Sequence, residues 1–145
     1  MNLSTNFTLE EATRSQVALR RGIDNTPNAE IQENMIEAAN HLEDVRSLLG
    51  VAILVSSWHR SPKLNTIIGG SATSAHCEGW AIDFTAPDFG TPKSVCQAIV
   101  SAGILFDQLI FEGTWVHISF SPRMRREVLT ARFEDGKVSY LRGIV

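Results

Sequence analysis

The longest periodic stretch of the chain runs from about Asn28 to Leu49, where Ile31, Met35, Leu42, Val45 and Leu49 recur at helical spacing. One apolar stripe among polar residues predicts an amphipathic helix that lays a single face on a core. Pro27 suits the approach to its first turn and Gly50 suits its stop. Val51 to Val55 is a short β-branched run and reads as a buried strand. Ser61-Pro62 and Thr91-Pro92 each set a capping side chain before a first-turn proline. They predict a short helix ending near Gly69-Gly70 and another running to about Ala102. Trp80 to Phe84, Gln108 to Glu112 and Trp115 to Phe120 read as strands, and Thr130 to Leu141 as a hairpin turning at Asp135-Gly136. Helices come first and strands cluster later. That order predicts an α+β fold in a single domain, 1–145, with N-terminal helices packed on a largely antiparallel sheet.

Bulk properties narrow the function classes. With 145 residues, 43% of them hydrophobic and 20% charged, the chain suits one compact globular domain. No repeat, low-complexity tract or linker divides it. A net charge of −3 argues against a general nucleic-acid binder, which needs a basic face for phosphates. No run approaches the ~20 apolar residues of a membrane-spanning helix, so no membrane insertion is expected. Met1 to Glu11 lacks a basic segment followed by an apolar run, so synthesis in the cytoplasm without a signal peptide is expected. Cys77 and Cys96 are too few for a disulfide scaffold, and reduced thiols are the plainer reading.

The chemistry concentrates in two segments. In Ser74-Ala75-His76-Cys77-Glu78-Gly79-Trp80-Ala81-Ile82-Asp83 a loop histidine precedes a glycine and a strand ending in a carboxylate. Trp80, Ile82 and Phe84 point to one face of that strand, and Ala81 and Asp83 to the other. Small Ala81 leaves room for an ion beside Asp83; the bland alternative is a surface loop and one exposed Asp. In Phe106 to Phe120, Val116, Ile118 and Phe120 alternate with Trp115, His117 and Ser119, which sets His117 opposite the apolar set. Gly113-Thr114 fits a two-residue hairpin turn. The resulting register pairs Glu112 with Trp115, Ile110 with His117 and Gln108 with Ser119. Glu112 then becomes the diagonal neighbour of His117, roughly 7–8 Å away at the backbone. Thr114, inside the turn, is less well placed. Two imidazoles and a carboxylate leave one tetrahedral position of Zn2+ open to water, and a nearby Glu completes a hydrolytic set.

Ser74-x-His76-x-x-Gly79-x-Ala81-x-Asp83 followed by Trp115-x-His117 resembles the zinc D-Ala-D-Ala carboxypeptidases and related peptidoglycan peptidases. Phe7-Thr8-Leu9, Arg14-Ser15, Gly22-Ile23-Asp24-Asn25-Thr26-Pro27 and Ser57-Trp58-His59-Arg60-Ser61-Pro62 resemble the phage-type branch of that family. So do Leu64-Asn65, Gly69-Gly70 and Phe106-Asp107-Gln108-Leu109-Ile110, and the likeness spans roughly residues 7 to 120. It implies zinc on His76, Asp83 and His117, an arginine at Arg60 that steadies the substrate carbonyl, and Ser74 beside the bound peptide. Two departures stand out. His59 replaces the tyrosine usual before the arginine, and Thr114 occupies the place, three residues before the last histidine, where many members carry their acid/base carboxylate. Glu112 is the nearest candidate for that role, and the related hedgehog signalling domain also has a Glu several residues before its last zinc histidine.

The other residues have plainer readings. His41 reads as a surface or boundary residue, His59 as either a partner orienting the site or a structural residue, and Cys96 as helix core. Cys77 can compete for metal only if His76 does not hold it, and Glu78 reads as solvated. Trp115 either flanks the substrate or packs beside the site. Arg123, Arg125 and Arg126 form a basic cluster that either touches an anionic wall polymer or is simply solvated.

The resemblance implies a monomeric enzyme hydrolysing a peptide bond in bacterial peptidoglycan stem or cross-link peptides, as a phage endolysin or virion-associated lysin. Such a protein acts on the wall after release or as part of the particle. The alternatives are a non-catalytic zinc module that binds a wall peptide or a protein partner, and a bacterial D-Ala-D-Ala carboxypeptidase.

Overall fold

The computed structural model describes residues 1–145. Two short helices open the chain, α1 (Leu9–Thr13) and α2 (Gln16–Arg21). Neither is long enough to show a periodic stripe, and each is set by its cap. Thr8 and Glu11 form a reciprocal capping box on α1, and the Ser15 side chain accepts from the Ala18 N–H on α2. Helix α3 (Ala29–Leu49) starts on Asn28, whose side chain accepts from the Ile31 N–H, and stops at Gly50 in the left-handed conformation. Met35, Leu42, Val45 and Leu49 are buried as the stripe requires, joined by Ala38 and Ala39; Ile31, at the first turn, is only partly covered.

The remaining elements are β1 (Leu54–Ser57), α4 (Pro62–Ile68), β2 (Ala81–Thr85), α5 (Pro92–Ser101), β3 (Gln108–Phe111), β4 (Val116–Ser119), β5 (Glu127–Glu134) and β6 (Lys137–Arg142). Both expected Pro-initiated helices are present, capped by Ser61 and Thr91. β1 departs from expectation. It starts at Leu54 rather than Val51, and it is an edge strand rather than a buried one, with Leu54 53% exposed. Ile53 enters the core just before the ladder begins, so the β-branched run marked burial of one residue and not the hydrogen-bonded segment.

The six strands form one sheet in the order β1-β2-β4-β3-β5-β6, antiparallel throughout except for the parallel β3–β5 pair. The β3–β4 hairpin has the expected register, with Gln108 opposite Ser119 and Ile110 opposite His117. Gly113 turns it at φ 84°. The last hairpin turns at Asp135-Gly136, where both residues have positive φ, as a two-residue type I′ turn needs.

The two faces of the sheet have different roles. Trp80, Ile82, Phe84, Leu109, Val116 and Ile118 join residues of α3 and α5 in a single buried cluster. On the other face, register places Ser57, Asp83, His117, Ile110 and Leu129 in one row across five strands. A bulge at Ser56 brings Ser57 into that row, and the Ser56 hydroxyl donates to the Asp83 carbonyl at 3.1 Å.

Gly79 joins the two layers. It lies at φ 84°, and a Cβ there would stand 2.6 Å from Met35 Cγ and 3.0 Å from the Ile31 carbonyl on α3. Gly79→Ala therefore meets backbone strain and overpacking together, and is expected to lower unfolding free energy by about 2–4 kcal/mol in a denaturant titration. A loss below about 0.5 kcal/mol would show that this loop is not pinned against the helix.

Candidate metal centre

His76 sits on a compact loop whose main chain turns on itself, with Cys77 N–H donating to Ser74, Gly79 N–H to His76 and Trp80 N–H to Ala75. The segment after β1 holds this loop from the side. Trp58 Nε1 donates to the Gly79 carbonyl at 2.9 Å, and the Arg60 N–H donates to the His76 carbonyl at 3.2 Å. His76 Nδ1 lies 2.6 Å from the Trp58 carbonyl. A carbonyl only accepts, so Nδ1 carries the proton and Nε2 is left with its lone pair directed into the site.

That lone pair has no hydrogen-bond partner, although the atom is buried. It stands 3.3 Å from Asp83 Oδ1, and His117 Nδ1 stands 2.9 Å from the same oxygen. The two imidazole rings are 5.2 Å apart at 66°. One ligating atom from each of His76, Asp83 and His117 lies within 4.8 Å of the others, an arrangement that can hold a metal ion. Burial disfavours the charged form of His76 and lowers its pKa. Burial opposes ionisation of Asp83 as well, but the hydrogen bond from His117 and the charges facing the carboxyl outweigh it and hold it below the usual carboxylate range. A neutral imidazole and an ionised carboxylate are the states a metal requires. An orphaned buried nitrogen, a carboxylate oxygen and a second imidazole converging on one point fit zinc.

A family model described as Peptidase M15 matches residues 5–119. The chain belongs to the Peptidase M15 family. No individual curated protein matches it. M15 peptidases are zinc enzymes, so membership gives this chain a zinc-dependent metallopeptidase activity, and the His-Asp-His cluster is its candidate metal centre. The matched segment ends with β4, which leaves β5 and β6 outside it.

The cluster opens into a cleft of about 690 Å³, and Arg60, Ser74, Glu112 and Trp115 all line it. Arg60 is fixed on two sides, with Nε donating to Ser57 Oγ at 3.3 Å and Nη1 to Asn65 Oδ1 at 3.1 Å. Its Nη2 lies 3.6 Å from Asp83 Oδ2. The Ser74 hydroxyl accepts from the His76 N–H at 3.2 Å. Glu112 is half-buried at the end of β3, and its N–H donates to the Trp115 carbonyl at 3.1 Å. Burial raises the Glu112 pKa above the ordinary 4.5; nearby Asp83 adds to the rise and His117 opposes it.

Cys77 stays outside the cluster, and burial raises its thiol pKa. His59 is buried beside the His76 main chain, burial pushes its pKa down to about 4, and its Nδ1 has no hydrogen-bond partner. His41 stacks on Phe120 with ring centres 5.2 Å apart. The structure adds cleft residues that sequence reasoning left out. Ile110, Gln108 and Ser119 share the ligand face by strand alternation and were accessible to that logic. Leu129 and Tyr140 arrive on β5 and β6 through the parallel pairing, for which the chain carries no local signal. Strand alternation continued back from Leu109 and Phe111 would put Asp107 on the opposite face. It precedes β3 by one residue, where alternation no longer binds it, and borders the cleft.

This geometry predicts saturable binding of one zinc per chain, with a rise in unfolding temperature. At a hundredfold excess over the dissociation constant, the stabilisation is about 2.7 kcal/mol. Chelation is expected to reverse it, and His76→Ala to abolish it. Full zinc content in His76→Ala would place the metal elsewhere.

Proposed function

We propose that this M15 chain hydrolyses a peptide bond in the stem or cross-link peptides of bacterial peptidoglycan, as a phage endolysin or virion-associated lysin. The observation that carries the catalytic reading is the unpartnered Nε2 of His76, aimed at Asp83 and His117 on the floor of a cleft that also holds a half-buried carboxylate. The wall substrate and the phage setting rest on the resemblance of Ser57-Trp58-His59-Arg60-Ser61-Pro62 and Phe106-Asp107-Gln108-Leu109-Ile110 to the phage-type branch.

In this reading His76, Asp83 and His117 hold zinc, which supplies a Lewis acid for the scissile carbonyl and lowers the pKa of water. Glu112 takes a proton from the attacking water and returns it to the leaving amine. Its raised pKa suits both halves of that cycle, because a stronger base is also an acid closer to working pH. Arg60 presents Nη2 toward the cluster while Ser57 and Asn65 hold the rest of its fork, so a charged donor already faces the developing oxyanion. Ser74 and Trp115 both line the cleft and position the peptide. A module that only binds peptide has no use for Glu112 in this place.

Digestion of purified peptidoglycan followed by mass spectrometry of the fragments tests the proposal and names the bond. Intact stem peptides after prolonged digestion would refute it. Glu112→Gln is expected to keep zinc and lose about 10²–10⁴-fold in turnover. Retention of more than about a tenth of wild-type turnover would move proton transfer to another group. In the wild type the base must be ionised, so the rate falls as pH falls. That acidic limb should disappear in Glu112→Gln. Arg60→Lys keeps the charge but loses the planar fork. Turnover is expected to drop at least about tenfold with zinc content unchanged, and an unaltered rate would remove Arg60 from the mechanism.

A further inference from the structure

Three arginines line the cleft, and two of them are already committed. Arg60 is held by Ser57, Asn65 and Asp83. Arg125 grips buried Asp107 with two side-chain bonds, Nε to Oδ1 at 2.9 Å and Nη2 to Oδ2 at 3.0 Å, and its N–H adds a third at 3.2 Å. Glu127, the other acid nearby, accepts from Gln108 Nε2 at 2.7 Å and lies 3.8 Å from Arg125 Nη1. Arg123 is different. Its nearest carboxylate oxygen is Asp107 Oδ2 at 3.9 Å, beyond hydrogen-bond distance, and its side chain is 68% exposed. Arg126, the third member of the basic cluster, faces elsewhere, stacked over the Phe106 ring and donating to the Ile104 carbonyl.

The loop that carries Arg123 is held firmly at its base. Met124 and Arg126 both adopt left-handed φ values, 43° and 53°, without being glycine. The Arg125–Asp107 fork and the Arg126 N–H bond to the Phe106 carbonyl hold them there. Such strain persists only where surrounding contacts over-determine it. Arg123 is thereby presented at the cleft with its donors unspent. Along the floor, His117, Ser119 and Ser121 all line the cleft. Ser121 stands four residues past His117, two of them beyond the end of β4, so no more than roughly 13 Å or about four residues of an extended peptide separate them.

We propose that Arg123 binds a carboxylate of the substrate peptide about three or four residues from the scissile bond, making this enzyme selective for acidic stem peptides. The inference rests on the peptidase reading above and adds a specificity residue outside the segment shared with the M15 family. An arginine fork pairs with a carboxylate through two parallel charge-assisted bonds, whereas the neutral amide loses that pairing.

The test uses two stem peptides of identical sequence, one with free carboxyl groups and one with those groups amidated. The wild-type chain is expected to favour the free acid by about five- to tenfold in kcat/KM, through KM rather than kcat. Arg123→Gln should level the two peptides, Arg123→Lys should keep part of the preference, and Arg123→Glu should invert it. Equal handling by the wild type, or a preference that survives in Arg123→Gln, would overturn the proposal. Calorimetric binding of both peptides to Glu112→Gln separates this idea from the catalytic one. A free-acid preference in binding with no cleavage by the wild type would sink the peptidase reading and sustain this one. Equal or absent binding overturns it.

Discussion

Removing a carboxylate from water costs several kcal/mol unless partners replace the solvent, and Asp83 is buried in the second strand of a six-stranded sheet. Much of the molecule is arranged around that one group. β4 is paired so that His117 stands directly opposite it. The loop before β2 folds back to bring His76 against the same oxygen, and the bulge in β1 sets Ser57 beside it and Arg60 within reach of the other oxygen. Two imidazoles and a guanidinium do not exhaust this set, because the His76 Nε2 remains without a partner. A cation is the species that satisfies that nitrogen and the carboxylate together.

The orienting contacts lie behind the ligands. His76 is aimed by a backbone carbonyl, that of Trp58, and the Trp58 indole in turn grips Gly79 at the far end of the same loop. Main-chain and core atoms hold the ring, which keeps its direction independent of solvent-facing side chains. Glu112 has a looser setting at a strand end, half-buried and close to a glycine turn.

What could be read from the chain follows the range of the forces involved. Strand alternation is local, so it was enough to set Asp83 and His117 on the polar faces of their strands and to bring Glu112 to the same cleft. Helix α3 was legible because its stripe repeats over several turns. Helices α1 and α2 have too few turns for a stripe, and each is set only by its cap. The Val51–Val55 run misplaced β1 because consecutive apolar residues record burial without fixing which backbone groups pair. That Asp83 faces His117 across two strands, and that β5 joins β3 in parallel, depend on contacts between distant segments. No short window of sequence carries those pairings.

The hairpin of β5 and β6 is attached to β3 through main-chain hydrogen bonds, and it lies beyond the segment that matches the family. Ladder bonds join main-chain atoms, so outward-facing side chains on these strands are not themselves part of the attachment. The wall of the cleft contributed by Leu129 and Tyr140 can therefore change residue by residue, or be exchanged whole, while the strands bearing Asp83 and His117 stay as they are. One cleft thus has a cluster anchored on its inner strands and a wall carried by its outer ones.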